Sequence, residues 1–135
     1  MTDMTRTMKL SHLSSPSSDV TATAAFFEAY LGCTASEAAP HIRILKRPGF
    51  DIVVEDASET LVQWPTNFHM GFELPTVDAV RALCERFRAD GVEIETDVFR
   101  HSRGSRFFCR APGGILIEIN TRADADEAYR GTFDH

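Results

Sequence analysis

The strongest constraint on the fold of this chain is an internal repeat in the order of its predicted elements. Each half begins with a strand that carries a histidine, continues with a helix that a glycine ends, and closes with three further strands. The histidines are His12 and His69 and the glycines are Gly32 and Gly91, so the two copies are offset by 57 to 59 residues. A repeat of this length holds one supersecondary unit, and such units pack together to bury their apolar faces.

The first half reads as strand, helix and three strands. Alternation predicts a short strand over residues 8–14, which the proline and serines that follow bring to an end. Asp19 is suited to cap a helix that carries an apolar stripe of aromatic residues. Three strands are then predicted over residues 41–46, 50–54 and 60–64.

The second half repeats this order. Alternation over residues 68–74 puts His69, Gly71 and Glu73 on one face of a strand and large apolar residues on the other. An amphipathic helix follows and ends at Gly91. The remaining predicted strands are residues 92–94, 106–109 and 115–120.

These elements predict an α+β fold built from two βαβββ modules. Residues 8–121 form one predicted domain, with the modules at 8–64 and 68–121. Residues 1–7 lack periodicity and are interpreted as a flexible leader. Residues 122–135 form an acidic, alanine-rich C-terminal tail.

Composition excludes several classes of function. The chain has 135 residues and a formal net charge of −6, which argues against nucleic-acid binding because phosphate contacts need a basic face. It contains no apolar run long enough to cross a membrane and no secretory signal. Three cysteines without a CxxC spacing predict buried thiols in a reducing compartment, so we expect a cytoplasmic protein.

The residues that suggest chemistry are two histidines and one glutamate. His12 and His69 each lie in the first strand of a repeat, and Glu118 interrupts an isoleucine-rich final strand. Two imidazoles and a carboxylate suit a divalent ion that keeps coordination positions open for substrate. Strand histidines are more often structural than metal-binding, and periodicity alone leaves open whether the three side chains converge.

Four segments in order resemble a known superfamily. They are HLSSPSSD at residues 12–19, AFFEAYLG at 25–32, FHMGFELPTVDAV at 68–80 and FFCRAPGGILIE at 107–118. Together they resemble the vicinal oxygen chelate superfamily, which includes glyoxalase I, fosfomycin resistance proteins, bleomycin resistance proteins and extradiol dioxygenases. The resemblance implies paired βαβββ modules that form a cupped mixed sheet around a metal, and a homodimer.

The resemblance also implies a metal site and a reaction class. It assigns His12, His69 and Glu118 as ligands of one divalent ion, which is manganese, iron, nickel or zinc. The expected enzyme chelates vicinal oxygens of a small substrate. Lyase or isomerase chemistry is favoured over oxygenation, because Phe107 and Phe108 occupy the strand on which ring-cleaving dioxygenases carry a tyrosine.

Further site residues follow less directly. Glu73 shares a strand face with His69 and is a candidate general base. Ser14 stands where fosfomycin-modifying members have a threonine. A basic run that includes Arg103 and Arg106 is either an anion anchor for substrate or a solvated surface.

Two alternatives stay open. Glyoxalase I resembles this chain but uses a fourth protein ligand, for which Gln63 or Glu59 is the candidate. In the second alternative, the chain is a metal-free binding protein similar to the bleomycin resistance group, which sequesters cationic drugs in an acidic groove.

Overall fold

The computed structural model describes residues 4–134. The chain divides into two compact units, residues 1–63 and residues 64–135, and each unit contains one four-stranded mixed sheet. Met4–Thr7 forms one turn of 3-10 helix. The first three residues of the predicted leader and the last residue of the predicted tail lie outside the described residues.

The first unit contains one helix and four strands. In chain order these are β1 (His12–Ser17), α1 (Val20–Tyr30), β2 (Thr34–Ala39), β3 (Ile42–Lys46) and β4 (Asp51–Asp56). The strand order in the sheet is β1-β4-β3-β2. β1 pairs parallel with β4, and the other two pairings are antiparallel.

The second unit has the same topology. Its elements are β5 (His69–Glu73), α2 (Val77–Ala89), β6 (Glu93–Ile94), β7 (Arg106–Arg110) and β8 (Leu116–Asn120), and a single 3-10 turn, Glu127–Tyr129, follows. The strand order is β5-β8-β7-β6, with β5 parallel to β8. The predicted α+β architecture of two βαβββ modules is confirmed.

The helix boundaries follow from local chemistry. The side chain of Asp19 accepts a hydrogen bond from the backbone N–H of Ala22 at 3.0 Å, and Thr76 makes the equivalent bond for α2 at 3.0 Å. Gly32 and Gly91 follow the helix ends with φ values of 69° and 79°, a conformation that glycine adopts without strain. Within residues 4–134, no helix is long and apolar enough to cross a membrane.

The predicted bounds of the first strand are wrong. β1 begins at His12 and runs through Pro16, whereas the sequence predicted residues 8–14 with Pro16 as a terminator. β1 lies at the edge of its sheet, where a proline nitrogen can face away from the neighbouring strand without breaking a ladder hydrogen bond.

One further prediction in the first unit is wrong, and one strand was not predicted. Residues 60–64 form no strand, and Leu61 is 78% exposed there. The sequence did not predict β2, because alanine, serine and glutamate have low β propensity. Antiparallel pairing with β3 stabilises Thr34–Ala39 as a strand despite the low β propensity of its residues.

The core of the second unit lies between its sheet and α2. Phe107, Ile117 and other apolar residues of β7 and β8 face Phe87 and the buried stripe of the helix, and the Phe87 and Phe107 rings meet edge to face at 5.7 Å. Burial, together with nearby Cys84, raises the pKa of the Cys109 thiol to about 12. Cys109 is therefore a packing residue with no thiolate character.

The segment after β8 packs against the loop before β7. The backbone N–H of Thr121 donates to the carbonyl of Ser105 at 3.1 Å, and Ser105 donates to the Asp124 carboxylate from its N–H at 2.9 Å and its hydroxyl at 2.7 Å. Gly104 has a φ of 107°, and a Cβ atom there would overlap the Thr121 carbonyl oxygen. Only glycine fits this close approach.

We expect Gly104→Ala to lower the free energy of unfolding by about 3 kcal/mol, because it adds backbone strain and a clash with the backbone of Thr121. Gly91→Ala is the matched control, since its φ is also positive but no atom lies within 4 Å of the added Cβ. It should cost about 1 kcal/mol. Urea denaturation measures both, and equal losses would contradict the steric argument.

Candidate metal and substrate site

The face of the second sheet opposite α2 carries the polar residues, and we name it the polar face. Strand register assigns its members, because residues paired directly across strands point to the same side of a sheet. They are His69, Gly71 and Glu73 of β5, Leu116, Glu118 and Asn120 of β8, and Arg106, Phe108 and Arg110 of β7. The predicted alternation of β5 is confirmed.

A buried polar cluster forms around Glu118. Its Oε1 accepts a hydrogen bond from Nη1 of Arg106 at 2.8 Å, and its Oε2 accepts one from Nδ2 of Asn120 at 2.6 Å. Glu118 is 6% exposed, Arg106 3% and Asn120 4%. The absence of a side chain at Gly71 leaves room for the cluster, since a Cβ there would lie 3.4 Å from Oε2 of Glu118.

The cations near Glu118 outnumber it. Burial lowers the pKa of the Arg106 guanidinium, the Glu118 carboxylate opposes this shift, and the charges of Arg103 and Arg122 add to it. The positive charges of Arg103 and Arg122 therefore act on Arg106, whose one ion-pair partner among the described residues is Glu118.

The hydrogen bonding of His69 fixes its tautomer. Nδ1 lies 2.8 Å from the carbonyl oxygen of Asn67. A carbonyl only accepts, so Nδ1 carries the proton and the neutral ring keeps its lone pair on Nε2. Metal-binding histidines typically have this arrangement. The ring also meets Phe108 edge to face at 5.6 Å, and Phe108 stacks on Phe99 at 6.4 Å.

His12 occupies the equivalent position in the first unit. It is the first residue of β1 as His69 is of β5, it is exposed, and its Nδ1 lies 2.9 Å from the hydroxyl of Ser11. Ser14, two residues on, is exposed on the same face of β1. His12 belongs to the first unit, whereas His69 and Glu118 belong to the second. Its role as a ligand of the same metal therefore stays a prediction.

The repeat identifies the counterpart of Glu118. Glu118 pairs with Gly71, two residues beyond His69, and in the first sheet the corresponding pair is Ser14 with Val53. An apolar residue therefore stands where a symmetric second carboxylate would lie. Gln63 and Glu59, the predicted candidates for a fourth ligand, are exposed and lie outside any strand.

The donor set on the polar face suits a divalent metal ion. Among residues 4–134, no three histidine, cysteine, aspartate or glutamate side chains are grouped closely enough to hold one. His69 and Glu118 lie on neighbouring strands and face the same side. His69 has a free lone pair on Nε2, and each oxygen of Glu118 accepts one hydrogen bond and retains another acceptor site. These two residues fit metal binding in their chemistry.

The remaining predicted site residues are dispersed. Glu73 is exposed at the end of β5 on the polar face, and Arg103 is exposed in the loop before β7. Sequence reasoning missed Asn120 and Arg122. Period-two alternation from Glu118 indicates that Asn120 shares its face, whereas nothing in the sequence separates Arg122 from the charged tail around it.

Comparison with known proteins identifies the family. A model of the Glyoxalase/Bleomycin resistance protein/Dioxygenase superfamily matches residues 9–119. The chain belongs to this superfamily, which confirms the resemblance noted in the sequence. No curated protein sequence matches the chain.

Solved structures agree with this assignment. A possible glyoxalase from Bacillus cereus is 30% identical, covers 84% of this chain and 98% of its own, and has a TM-score of 0.73. The fosfomycin resistance protein FosX from Listeria monocytogenes is 19% identical, with 91% and 98% covered and a TM-score of 0.74. Lactoylglutathione lyase from Agrobacterium tumefaciens is 17% identical, with 83% and 92% covered and a TM-score of 0.66. The last two share the fold.

We expect Arg106→Met to lower the free energy of unfolding by about 3 kcal/mol, because it leaves the buried Glu118 carboxylate without its cation. The double variant Arg106→Met/Glu118→Leu should recover more than half of this loss, since no buried charge remains. Arg110→Gln is the control on β7, since it breaks a half-exposed pair with Glu95 and a hydrogen bond to the Gly114 carbonyl, and it should cost about 1 kcal/mol. A double variant less stable than Arg106→Met, measured in urea, would contradict the pairing argument.

Proposed function

We propose that this protein is a metal-dependent enzyme that binds a small substrate through vicinal oxygens. His12, His69 and Glu118 would hold one divalent ion of manganese, iron, nickel or zinc. The observation that carries the proposal is the His69 side chain, whose Nδ1 proton is held by the Asn67 carbonyl while Nε2 keeps its lone pair on the face that bears Glu118.

When bound, the metal would supply Lewis-acid stabilisation of negative charge that develops on a substrate oxygen. The residues of the chain orient the proposed ligands and pack around them. Arg106 and Asn120 fix the orientation of the Glu118 carboxylate through both oxygens. Phe108 packs edge-on against the His69 ring and, with Phe99, lines the polar face beside it with apolar surface.

Lyase or isomerase chemistry fits the polar face better than oxygenation. The residue that pairs with Glu118 on β7 is Phe108, which has no hydroxyl group to donate or accept a proton. Glu73 is exposed on the same face as His69, and its carboxylate is suited to accept a proton from bound substrate. Val53 at the symmetric position favours a three-residue ligand set with more than one open coordination position.

A metal-free binding protein is the second candidate function. The observation in its favour is that both oxygens of Glu118 already accept hydrogen bonds within the protein, from Arg106 and Asn120. A carboxylate held in this way is stable without a metal. The net charge of −6 suits the capture of a cationic compound.

The proposal extends to location and assembly. Cys33, Cys84 and Cys109 are free and buried, which suits the reducing cytoplasm. We propose a homodimer, the assembly that the family resemblance implies, and sedimentation velocity measures it directly.

Metal binding separates the two candidates. We expect the wild-type protein to bind one equivalent of Mn²⁺, Ni²⁺ or Zn²⁺ in calorimetric titration, and His12→Ala and His69→Ala to weaken binding by at least about 100-fold, because each removes a ligand. His41→Ala, which changes an exposed histidine between β2 and β3, is the control and should bind like wild type.

Elemental analysis of the purified variants gives a second measurement. If wild type and His69→Ala both contain none of manganese, iron, nickel or zinc and bind none of these ions when they are supplied, the enzyme proposal is wrong and the metal-free binding function is favoured.

A further inference from the structure

Three arginines converge on one short loop in the second unit. Nε of Arg106 donates to the carbonyl of Gly104 at 3.2 Å. Nη1 of Arg122 donates to the carbonyl of Arg103, the adjacent residue in the chain. The guanidinium groups of Arg106 and Arg122 therefore contact neighbouring peptide units. Arg103 belongs to the same loop.

These three arginines share one ion-pair partner, and the exposed Glu73 lies on the same face, across from Asn120. Among the described residues, Glu118 is the one carboxylate that forms an ion pair with any of the three, through Arg106. Asp124 lies nearby in sequence but accepts hydrogen bonds from Ser105 and faces Arg100 at 4.0 Å. Burying positive charge without a counter-charge is costly, and this surplus favours an anion as its partner.

Buried hydrogen-bonding atoms in the same cluster lack partners. Arg106 and Arg122 are 3% and 7% exposed, and Nη2 of Arg106 and Nε of Arg122 have no hydrogen-bond partner among the residues described. Oδ1 of Asn120 is likewise a buried acceptor without a donor in that part of the chain. Native proteins rarely leave buried donors unpaired, because each costs about 1–3 kcal/mol.

The unpaired atoms have complementary chemistry. The two arginine nitrogens donate hydrogen bonds and carry charge, which matches oxyanion oxygens. Asn120 pairs with Arg106 across β7 and β8, so these two side chains point to the same side of the sheet. An oxyanion that also carries a hydroxyl group offers acceptors to the two arginine nitrogens and a donor to Asn120, whereas a fully deprotonated oxyanion would leave Asn120 unpaired.

We propose that Arg103, Arg106, Arg122 and Asn120 form a binding subsite for a hydroxyl-bearing oxyanion group of the substrate. Arg106 and Arg122 donate to the anionic oxygens, Asn120 accepts from the hydroxyl, and Arg103 adds charge at the exposed rim. This inference deepens the proposed function by naming the substrate class. The subsite adjoins Glu118 through Arg106, so the oxyanion lies next to one of the proposed metal ligands.

Inorganic phosphate and sulfate test the subsite directly. They are similar in size and shape, but phosphate carries a hydroxyl at neutral pH and sulfate does not. We expect calorimetric titration of the protein, freed of metal with EDTA, to show one phosphate site and at least about tenfold weaker sulfate binding. Arg122→Gln and Arg103→Gln should each weaken phosphate binding by about tenfold or more.

Arg81→Gln is the matched control, since it removes the same charge from an exposed position on α2 and should bind phosphate like wild type. Arg106→Met is not used, because it also leaves Glu118 unpaired and can unfold the protein. Far-UV circular dichroism and the thermal midpoint verify that the tested variants are folded.

The subsite is disproved if folded wild-type protein binds no phosphate, or if Arg122→Gln binds it as tightly as Arg81→Gln. Equal affinity for phosphate and sulfate would show that Asn120 accepts no hydrogen bond from the ligand and is not part of the subsite. Because metal is absent throughout, these outcomes are independent of the metal titration. Loss of the metal site with retention of the phosphate site would overturn the proposed enzyme alone.

Discussion

The buried contact between Arg106 and Glu118 is the interaction around which the polar face of the second unit is arranged. Each charge costs several kcal/mol to bury alone, so neither side chain can occupy its position without the other. Apolar residues of similar volume would hold the two strands together at least as well. The pair is therefore poorly explained by stability, and its position on the polar face supports the proposed site for charged groups.

Several features of the second unit hold this pair in place. The parallel pairing of β5 with β8 brings Gly71 against Glu118, and the missing side chain gives the carboxylate its space. The segment after β8 returns to the loop before β7, where Ser105 and Asp124 join the two. Burial alone would raise the pKa of the Asp124 carboxyl, but the hydrogen bonds from Ser105 and the charge of Arg100 hold it below its usual value. These contacts hold in place the loop whose carbonyl groups accept hydrogen bonds from Arg106 and Arg122.

The sequence predicts features that depend on local chemistry. The caps at Asp19 and Thr76 and the helix-ending glycines follow from the preferences of single residues, and the repeat follows from their order. The sequence did not predict β2, because its residues form a strand only when β3 is there to pair with. The same limit applies to the site. Alternation indicates the faces of His69 and Glu118, whereas the contacts of Arg122 depend on how the tail folds back.

The matching topologies of the two sheets, with Val53 at the position that corresponds to Glu118, have an evolutionary meaning. Two modules with the same strand order and a histidine at the same position are the expected product of duplication and fusion of an ancestral half. The copies now differ at this position, where the second has an acidic side chain and the first an aliphatic one. The two halves therefore do not contribute equally to the proposed site, because the first half has no carboxylate at the position that Glu118 occupies in the second.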